Sequence, residues 1–551
     1  MTEKNLIDAA RGTVPADSVF TNATIFNPFT CTWEKGNLAV KDGIVLGIGE
    51  YRAASEHDMR GKYLVPGLID AHVHIESSLL APKEYARLVA RHGTTTVIAD
   101  PHEIANVAGT AGLEFMLAER DGAAIDIRYM LPSCVPATPA DVGGAVLGAG
   151  DIAAFCGRNG IAGLGEMMNF PGVLAADPEV MAKLASCKVR DGHAPFLTGK
   201  DLNAYILAGP DSDHECTTRA EAEEKLKAGM YLYIREGSTE RNIEALAPLV
   251  TPASAPRCCF ATDDCHADLL MNDGHIDRCI RRAIACGIPP ELAIRMATLS
   301  AADRFGLNDR GALSPGRRAD FCVVSDPEKF IVERTFVAGR EFTGAAPEAP
   351  SRLSAQFRCT VPDAPAISAS GRGTARVIGL IPHQIVTEAL QVRIDGSSLP
   401  GGIHKVVVCN RYGTGARGIG LVRGFGFRKG AIASSIAHDA HNLVACGTDD
   451  AEILRAIGEV VRLQGGMAAV CGSDVVSIPL ECGGLMSHLP YEEVVKRLGQ
   501  LEALTTAIGG IPDPFMYLSF LSLTVIPALR ITDRGVFDGT AFRDVPLFCG
   551  E

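Results

Sequence analysis

The alternation of apolar and polar positions divides the chain into three stretches with different periods. Up to about residue 62 the apolar runs are short and separated by turn residues. Ser18-Val19-Phe20, Ala23-Thr24-Ile25-Phe26 and Asn37-Leu38-Ala39-Val40 read as strands. Lys41-Asp42-Gly43 reads as a hairpin turn into Ile44–Ile48. From Tyr63 onward, β-branched runs alternate with helical stretches, which is the pattern of a parallel α/β architecture. Strands are predicted at Tyr63–Ile69, Thr94–Ala99, Ile127–Leu131 and Ile161–Gly165. Others follow in a segment ending at His193, a short one ending at His214, and at Tyr231–Ile234 and Cys258–Ala261. Helices are predicted at Pro82–Ala90, Thr110–Arg120 and Arg219–Lys227, the last with Thr217 or Thr218 as N-cap and Glu221 completing a capping box. Eight such units over about 200 residues fit a (β/α)8 TIM-type barrel better than an open doubly wound sheet.

In such a barrel the chemistry belongs at the C-terminal ends of the strands. Polar side chains fall there repeatedly. His72 and His74 follow the first strand, Asp100-Pro101-His102-Glu103 the second and Glu166 the fourth. His193 follows the fifth, His214 the sixth, Arg235-Glu236 the seventh and Asp263-Asp264 the eighth. Strand alternation points His72 and His74 the same way, and two converging imidazoles suit one divalent cation. His74-x-Glu76 matches half of the zinc deaminase pattern, but no Pro-Cys-x-x-Cys follows, which excludes that class.

After the barrel, Gly311 to Val324 is a turn-rich segment feeding an apolar strand. It predicts a return to the small β unit, a β-sandwich built from residues 1–62 and 308–345 on both flanks of a barrel at 63–307. Residues 346–366 read as a linker, and 367–551 as a C-terminal α/β unit with a strand at Lys405–Cys409 and a helix at Asp450–Gln464. Gly413-Thr414-Gly415-Ala416-Arg417-Gly418 satisfies G-x-G-x-x-G, but a strand-like run follows it, so it reads as a hairpin loop. His438-Asp439-Ala440-His441-Asn442 is either a solvated loop or a lid reaching toward the barrel mouth.

Composition narrows the class. At 551 residues with 47% apolar and 21% charged residues, the chain is a multi-domain globular protein. A net charge of −13 leaves no footprint for nucleic acid or an anionic membrane. The apolar run Pro514–Leu529 is shorter than the about 18–20 residues of a span and contains Pro527, so it reads as a buried element or a subunit contact in a homo-oligomer, dimer or higher. Seventeen scattered cysteines, with no Cys-x-x-Cys and no signal-peptide pattern, predict reduced thiols in a cytoplasmic protein.

Longer segments carry a resemblance. Val65-Pro66-Gly67-Leu68-Ile69-Asp70-Ala71-His72-Val73-His74 resembles the first-strand signature of the amidohydrolase superfamily, and Gly316-Arg317-Arg318-Ala319-Asp320 its closing β signature. His74-Ile75-Glu76-Ser77-Ser78, Asp100–Val107, Gly165–Met168, Gly199–Tyr205, Ile234–Ser238 and Thr262-Asp263-Asp264 are similar to the bacterial adenine deaminase family over essentially the whole chain. The resemblance implies a two-metal site. His72, His74 and Asp263 would hold one ion, His193 and His214 the other, and Glu166 would bridge both where many superfamily members use a carboxylated lysine. It implies manganese, with iron or zinc as alternatives, and adenine as the small-molecule substrate.

The chemistry of such a reaction can be reasoned separately. Adenine C6 is a poor electrophile and ammonia a poor leaving group, so water must be activated and the departing nitrogen protonated. Two cations flanking a water supply hydroxide near neutral pH. Asp263 would accept its proton and pass it to the amine, with hypoxanthine and ammonia as products. Glu236, Asp100, His102 and Glu76 are candidate donors to N1, and Glu76, Arg235, His438 and His441 are candidate substrate contacts. The alternatives are a cyclic-amide hydrolase of the hydantoinase or dihydroorotase type, and a non-catalytic binding or scaffold protein on the same barrel.

Overall fold

A computed structural model describes residues 3–549 except 139, 349–350, 352, 354–356, 370, 383 and 396–398. The first sheet is built from β1 (Ala16–Asn27), β2 (Thr32–Lys41), β3 (Ile44–Ile48), β4 (Ala53–Asp58) and β5 (Tyr63–Pro66). The two short runs expected at 18–20 and 23–26 are one strand, β1, kinked where its register with β2 shifts between Phe20 and Ala23. Asn22 takes the left-handed conformation there, at φ 58°. A helix at Glu3–Ala10, which strand periodicity could not reveal, covers this sheet through Ala9.

The expected strand Tyr63–Ile69 is two strands. β5 ends at Pro66 and pairs in the first sheet, whereas β6 (Leu68–Val73) opens the barrel. Gly67 makes the transfer possible, because a Cβ there would lie 2.1 Å from Thr95 Oγ1. Its amide is held by the Asp320 carbonyl at 2.8 Å. The barrel continues through β7 (Thr94–Ala99), β8 (Asp126–Leu131), β9 (Ile161–Met167), β10 (Arg190–Gly192), β11 (Ser212–Asp213), β12 (Tyr231–Arg235) and β13 (Cys258–Ala261).

β6 to β10 form one parallel arc and β11 to β13 another. Backbone hydrogen bonds close both seams. Asp263 N–H donates to His72 O at 3.0 Å and His74 N–H to Asp263 O at 3.1 Å, and Asp211 N–H reaches Arg190 O at 3.3 Å. The result is a TIM-type barrel followed by a C-terminal unit.

The helices Pro82–Ala90, Thr110–Arg120 and Arg219–Lys227 form over the residues expected. The capping box on the last is half made. Thr218 accepts from Glu221 N–H, but the Glu221 carboxylate serves Phe196 N–H and Lys225 instead.

After the barrel, β14 (Phe321–Val324), β15 (Val332–Val337) and β16 (Arg340–Glu341) rejoin the first sheet, β14 pairing antiparallel with β5. That sheet is hydrogen-bonded as one continuous surface. Part of the expected linker lies outside the described residues, and the rest is no free spacer, since Phe357 and Cys359 are buried against Val407 and Leu443.

The C-terminal unit is a second eight-stranded sheet. In chain order its strands are β17 (Gly373–Leu380), β18 (Thr387–Ile394), β19 (Ile403–Cys409), β20 (Arg417–Arg423), β21 (Ala431–Ser434), β22 (Leu443–Gly447), β23 (Gly466–Cys471) and β24 (Asp474–Pro479). The G-x-G-x-x-G stretch is the β19–β20 hairpin turn, as its apolar sequel required. Residues Pro514–Phe520 form a short helix whose Leu518 and Phe520 are buried within the chain, as one of the two readings of that run expected. Among the described residues no helix is long and apolar enough to cross a membrane. One cysteine pair, Cys156 and Cys187, is disulfide-bonded, a departure from the expectation that all thiols are reduced.

Candidate metal centre

The end of β6 is fastened before it reaches the mouth. Asp70, fully buried, accepts from the amides of His72 and Thr262, each at 3.2 Å. It also pairs with His275 Nε2 at 2.9 Å. One carboxylate therefore locks the first and last barrel strands together below the two histidines. His72 and His74 bring their Nε2 atoms to 3.6 and 3.1 Å from Asp263 Oδ1, and to 3.9 and 3.4 Å from Glu166 Oε1. Asp263 itself sits in the left-handed region at φ 55°, a conformation a non-glycine residue seldom holds without a constraint around it.

Glu166 ends β9. Asp100 Oδ2 accepts its amide at 3.1 Å, a contact that requires Gly165, where a Cβ would fall 2.0 Å from that same oxygen. His193 Nδ1 lies 2.7 Å and His214 Nε2 3.2 Å from Glu166 Oε2. Six side chains from five strand ends, Glu166 among them, thus meet in one cluster. Burial alone would raise the Glu166 carboxyl, but the imidazoles of His193 and His214 outweigh it and hold it well below the usual carboxylate range.

The cluster is under-satisfied as protein. Both ring nitrogens of His72 and Nδ1 of His214 are buried with no hydrogen-bond partner among the described residues. Buried polar atoms rarely stay unpaired. Neutral imidazoles and carboxylates at these spacings form a donor set for divalent transition metals. The residues fit such ions.

The remaining expected residues divide into those near this centre and those away from it. His102 comes close, with Nδ1 3.4 Å from Glu166 Oε1. Arg235 Nη1 holds Asp263 Oδ2 at 2.9 Å and also pairs with Glu215, so it braces a carboxylate of the centre. Glu76 is 3% exposed; its Oε1 accepts from Ile104 N–H at 3.1 Å while Oε2 has no hydrogen-bond partner among the described residues. Burial, with the charge of Glu103 adding to it, pushes the Glu76 carboxyl up to about 7.

Glu236 is not brought to the cluster. Its amide bonds to Ala261 O, and its carboxyl feels Arg278, Arg282 and Arg241. His438 and His441 are not in a solvated loop. Both are buried and both bind Glu103, His438 Nδ1 at 2.7 Å.

Glu103 and Asp264 were named at strand ends but given no role, and Glu215 was not named from the sequence. Glu103 and Glu215 directly follow His102 and His214, so the signal was adjacency, but nothing in the pattern says which of two neighbouring polar residues faces inward. A pocket of about 530 Å³, its open mouth included, lies beside Glu103, one of the residues lining it. Glu76, Ser77, Asp264, His438, Met516 and Phe520 are among the residues lining it.

Comparison with known proteins agrees with this geometry. Residues 63–342 match the amidohydrolase family, and residues 384–543 match the adenine deaminase C-terminal domain. The chain is 64% identical over 549 residues to an adenine deaminase of Methanoregula boonei, covering 99% of this chain and 98% of the relative. It is 59% identical over 515 residues to the adenine deaminase of Methanoculleus marisnigri, covering 93% and 99%. With the adenine deaminase of Desulfatibacillum aliphaticivorans the identity is 45% over the full length of both. A barrel carrying this centre, continuous with that C-terminal domain, places the chain in the adenine deaminase family of the amidohydrolases.

Proposed function

We propose that this chain hydrolyses adenine to hypoxanthine and ammonia at a centre for two divalent cations. His72, His74 and Asp263 would hold one ion, His193 and His214 the other, with Glu166 shared between them. Manganese is proposed, with iron or zinc as alternatives, since mixed imidazole and carboxylate donors accept all three. The same reading divides the chain into a small β unit from residues 1–62 and 308–345, a barrel at 63–307 and a C-terminal unit at 367–551. The return of β14 to pair with β5 supports that division.

Ions bound there supply Lewis-acid charge that lowers the pKa of an adjacent water toward about 7. The rest falls to the chain. As the water oxygen bonds to adenine C6, Asp263 takes its proton and passes it to the exocyclic nitrogen. The C6–N bond then breaks and ammonia leaves. Arg235 keeps Asp263 oriented and ionised for that transfer.

Dearomatising the ring builds charge on N1, and Glu76 is the group best suited to meet it. Its unpartnered Oε2 belongs to a carboxyl on the pocket wall that burial keeps largely protonated below about 7. Asp100 and Glu236 are not among the residues lining that pocket: Asp100 Oδ2 takes the Glu166 amide and Oδ1 faces His102 Nδ1 at 3.7 Å, and the Glu236 carboxyl faces Arg278, Arg282 and Arg241.

Glu166 carries the assignment, because a glutamate meets five imidazoles where hydantoinase-type relatives carry a modified lysine. Metal-loaded protein should be given adenine, hydantoin and dihydroorotate side by side. Loss of adenine absorbance with equimolar ammonia is expected. Turnover of either cyclic amide, with adenine untouched, would overturn the proposal.

A further inference from the structure

A second buried carboxylate lies beside the centre. Glu103 is 3% exposed and takes three imidazoles. His438 Nδ1 lies 2.7 Å from Oε1, His441 Nε2 contacts Oε2, and His102 Nε2 is 3.3 Å from Oε1. Two of these three come from the C-terminal unit, more than 330 positions away in the chain.

Their tautomers can be followed. The Ala437 amide donates to His441 Nδ1 at 3.3 Å, so Nε2 carries the proton and donates to Glu103. His441 is held at φ 50°, in the left-handed region, and the His438 ring stacks on Phe520 at 4.8 Å. His438 and His441 reach Glu103 as direct hydrogen bonds. The other end of His102 is different. Nδ1 is buried, has no hydrogen-bond partner, and faces Glu166 Oε1 at 3.4 Å and Asp100 Oδ1 at 3.7 Å.

We infer that His438, His441 and Glu103 form a clamp through which the C-terminal unit positions His102 against Glu166. Glu103 is then a positioning residue, and the barrel alone is an incomplete enzyme. The inference rests on the proposed deaminase centre and gives the C-terminal unit a role in it.

Glu103→Gln is expected to fold, because docking has other supports. Arg87 Nη1 binds Glu492 at 3.0 Å, and backbone bonds join Ala81 to Ser487 and Ser487 to Leu79 at 2.9 and 2.8 Å. The test is a double-mutant cycle in the full-length, metal-loaded chain. Glu103→Gln should lower kcat on adenine by roughly 10- to 100-fold, as the loss of an outer partner of a metal site does. His102→Asn should lower it at least as much, and the double variant should be no slower than His102→Asn alone. Losses that multiply, or a Glu103→Gln enzyme with wild-type kcat, would overturn the clamp.

The visible spectrum of the cobalt-loaded chain is a second readout that needs no turnover. Glu103→Gln should shift the band in the same sense as His102→Asn. A Glu103→Gln band identical to wild type beside a shifted His102→Asn band would also overturn the clamp. If the wild type leaves adenine intact, the deaminase reading fails, and the cobalt spectra still judge the clamp.

Discussion

Glu166 and Glu103 are both buried carboxylates ringed by imidazoles, and in both the histidines outweigh burial and hold the carboxyl well below its usual range. They differ in what is left over. Around Glu166, His193 Nδ1 is in direct contact at 2.7 Å, but the His72 and His74 nitrogens stand off from the carboxylates by 3.1–3.9 Å, and His72 has no hydrogen-bond partner at either nitrogen among the described residues. Around Glu103 the imidazoles of His438 and His441 touch the carboxylate directly, and the far nitrogen of His441 is met by a backbone amide. Residue types do not separate an ion site from a hydrogen-bonded clamp. Unmet hydrogen-bonding capacity does, because a buried donor set with nothing to bind is costly unless an ion completes it.

The largest test of that contrast is removal of the ions. Dialysis against a chelator should abolish adenine turnover, and two equivalents of Mn²⁺ per chain should restore it, read by metal analysis and ammonia release. A third equivalent taken up and lost in Glu103→Gln would erase the distinction between the clusters. Next, Glu166→Gln should lower kcat/KM by about 10³-fold or more with the chain still folded, since it removes the carboxylate proposed to serve both ions.

Glu76→Gln should cost about 10²-fold in kcat, the usual scale of a positioned acid. Here the sign with pH follows from burial. The neutral carboxyl is the donating form; it is populated below about 7 and lost above, so wild-type kcat should fall as pH rises through that value. A pH–rate profile of Glu76→Gln should lack that limb.

The smallest effect concerns stability. Glu103→Gln should lower the unfolding free energy by about 1–3 kcal/mol at neutral pH, measured by chemical denaturation. Glu103 has a depressed folded-state value, so its contribution is present above 4.5 and fades as the pH falls below it. The difference between variant and wild type should shrink in acid.

Much of the barrel was legible because periodicity reports local burial. Thr94–Ala99 and Cys258–Ala261 are strands over the residues expected, the first as a β-branched run and the second as an unbroken apolar run of the kind a strand buried on both faces gives. Polar residues at strand ends were legible for the same reason, as each interrupts such a run. Tyr63–Ile69 was misjudged as one strand because two apolar strands in different sheets abut at Gly67, and the pattern of burial does not say which sheet does the burying. Glu236 was favoured by its place after β12, yet the chain turns its carboxyl toward Arg278, whereas Glu103, one position past His102, points into the cluster.

The amino-acid sequence by itself determined the alternation of strands and helices, the donors at the strand ends and, through its longer segments, the family. These depend on neighbours a few residues apart. Tertiary structure alone decided that His438 and His441 reach Glu103, that Asp70 ties β6 to β13, and which nitrogens are left without partners. Those contacts join residues nearly two hundred to more than three hundred positions apart, and they exist only once the barrel has closed and the C-terminal unit has docked over its mouth.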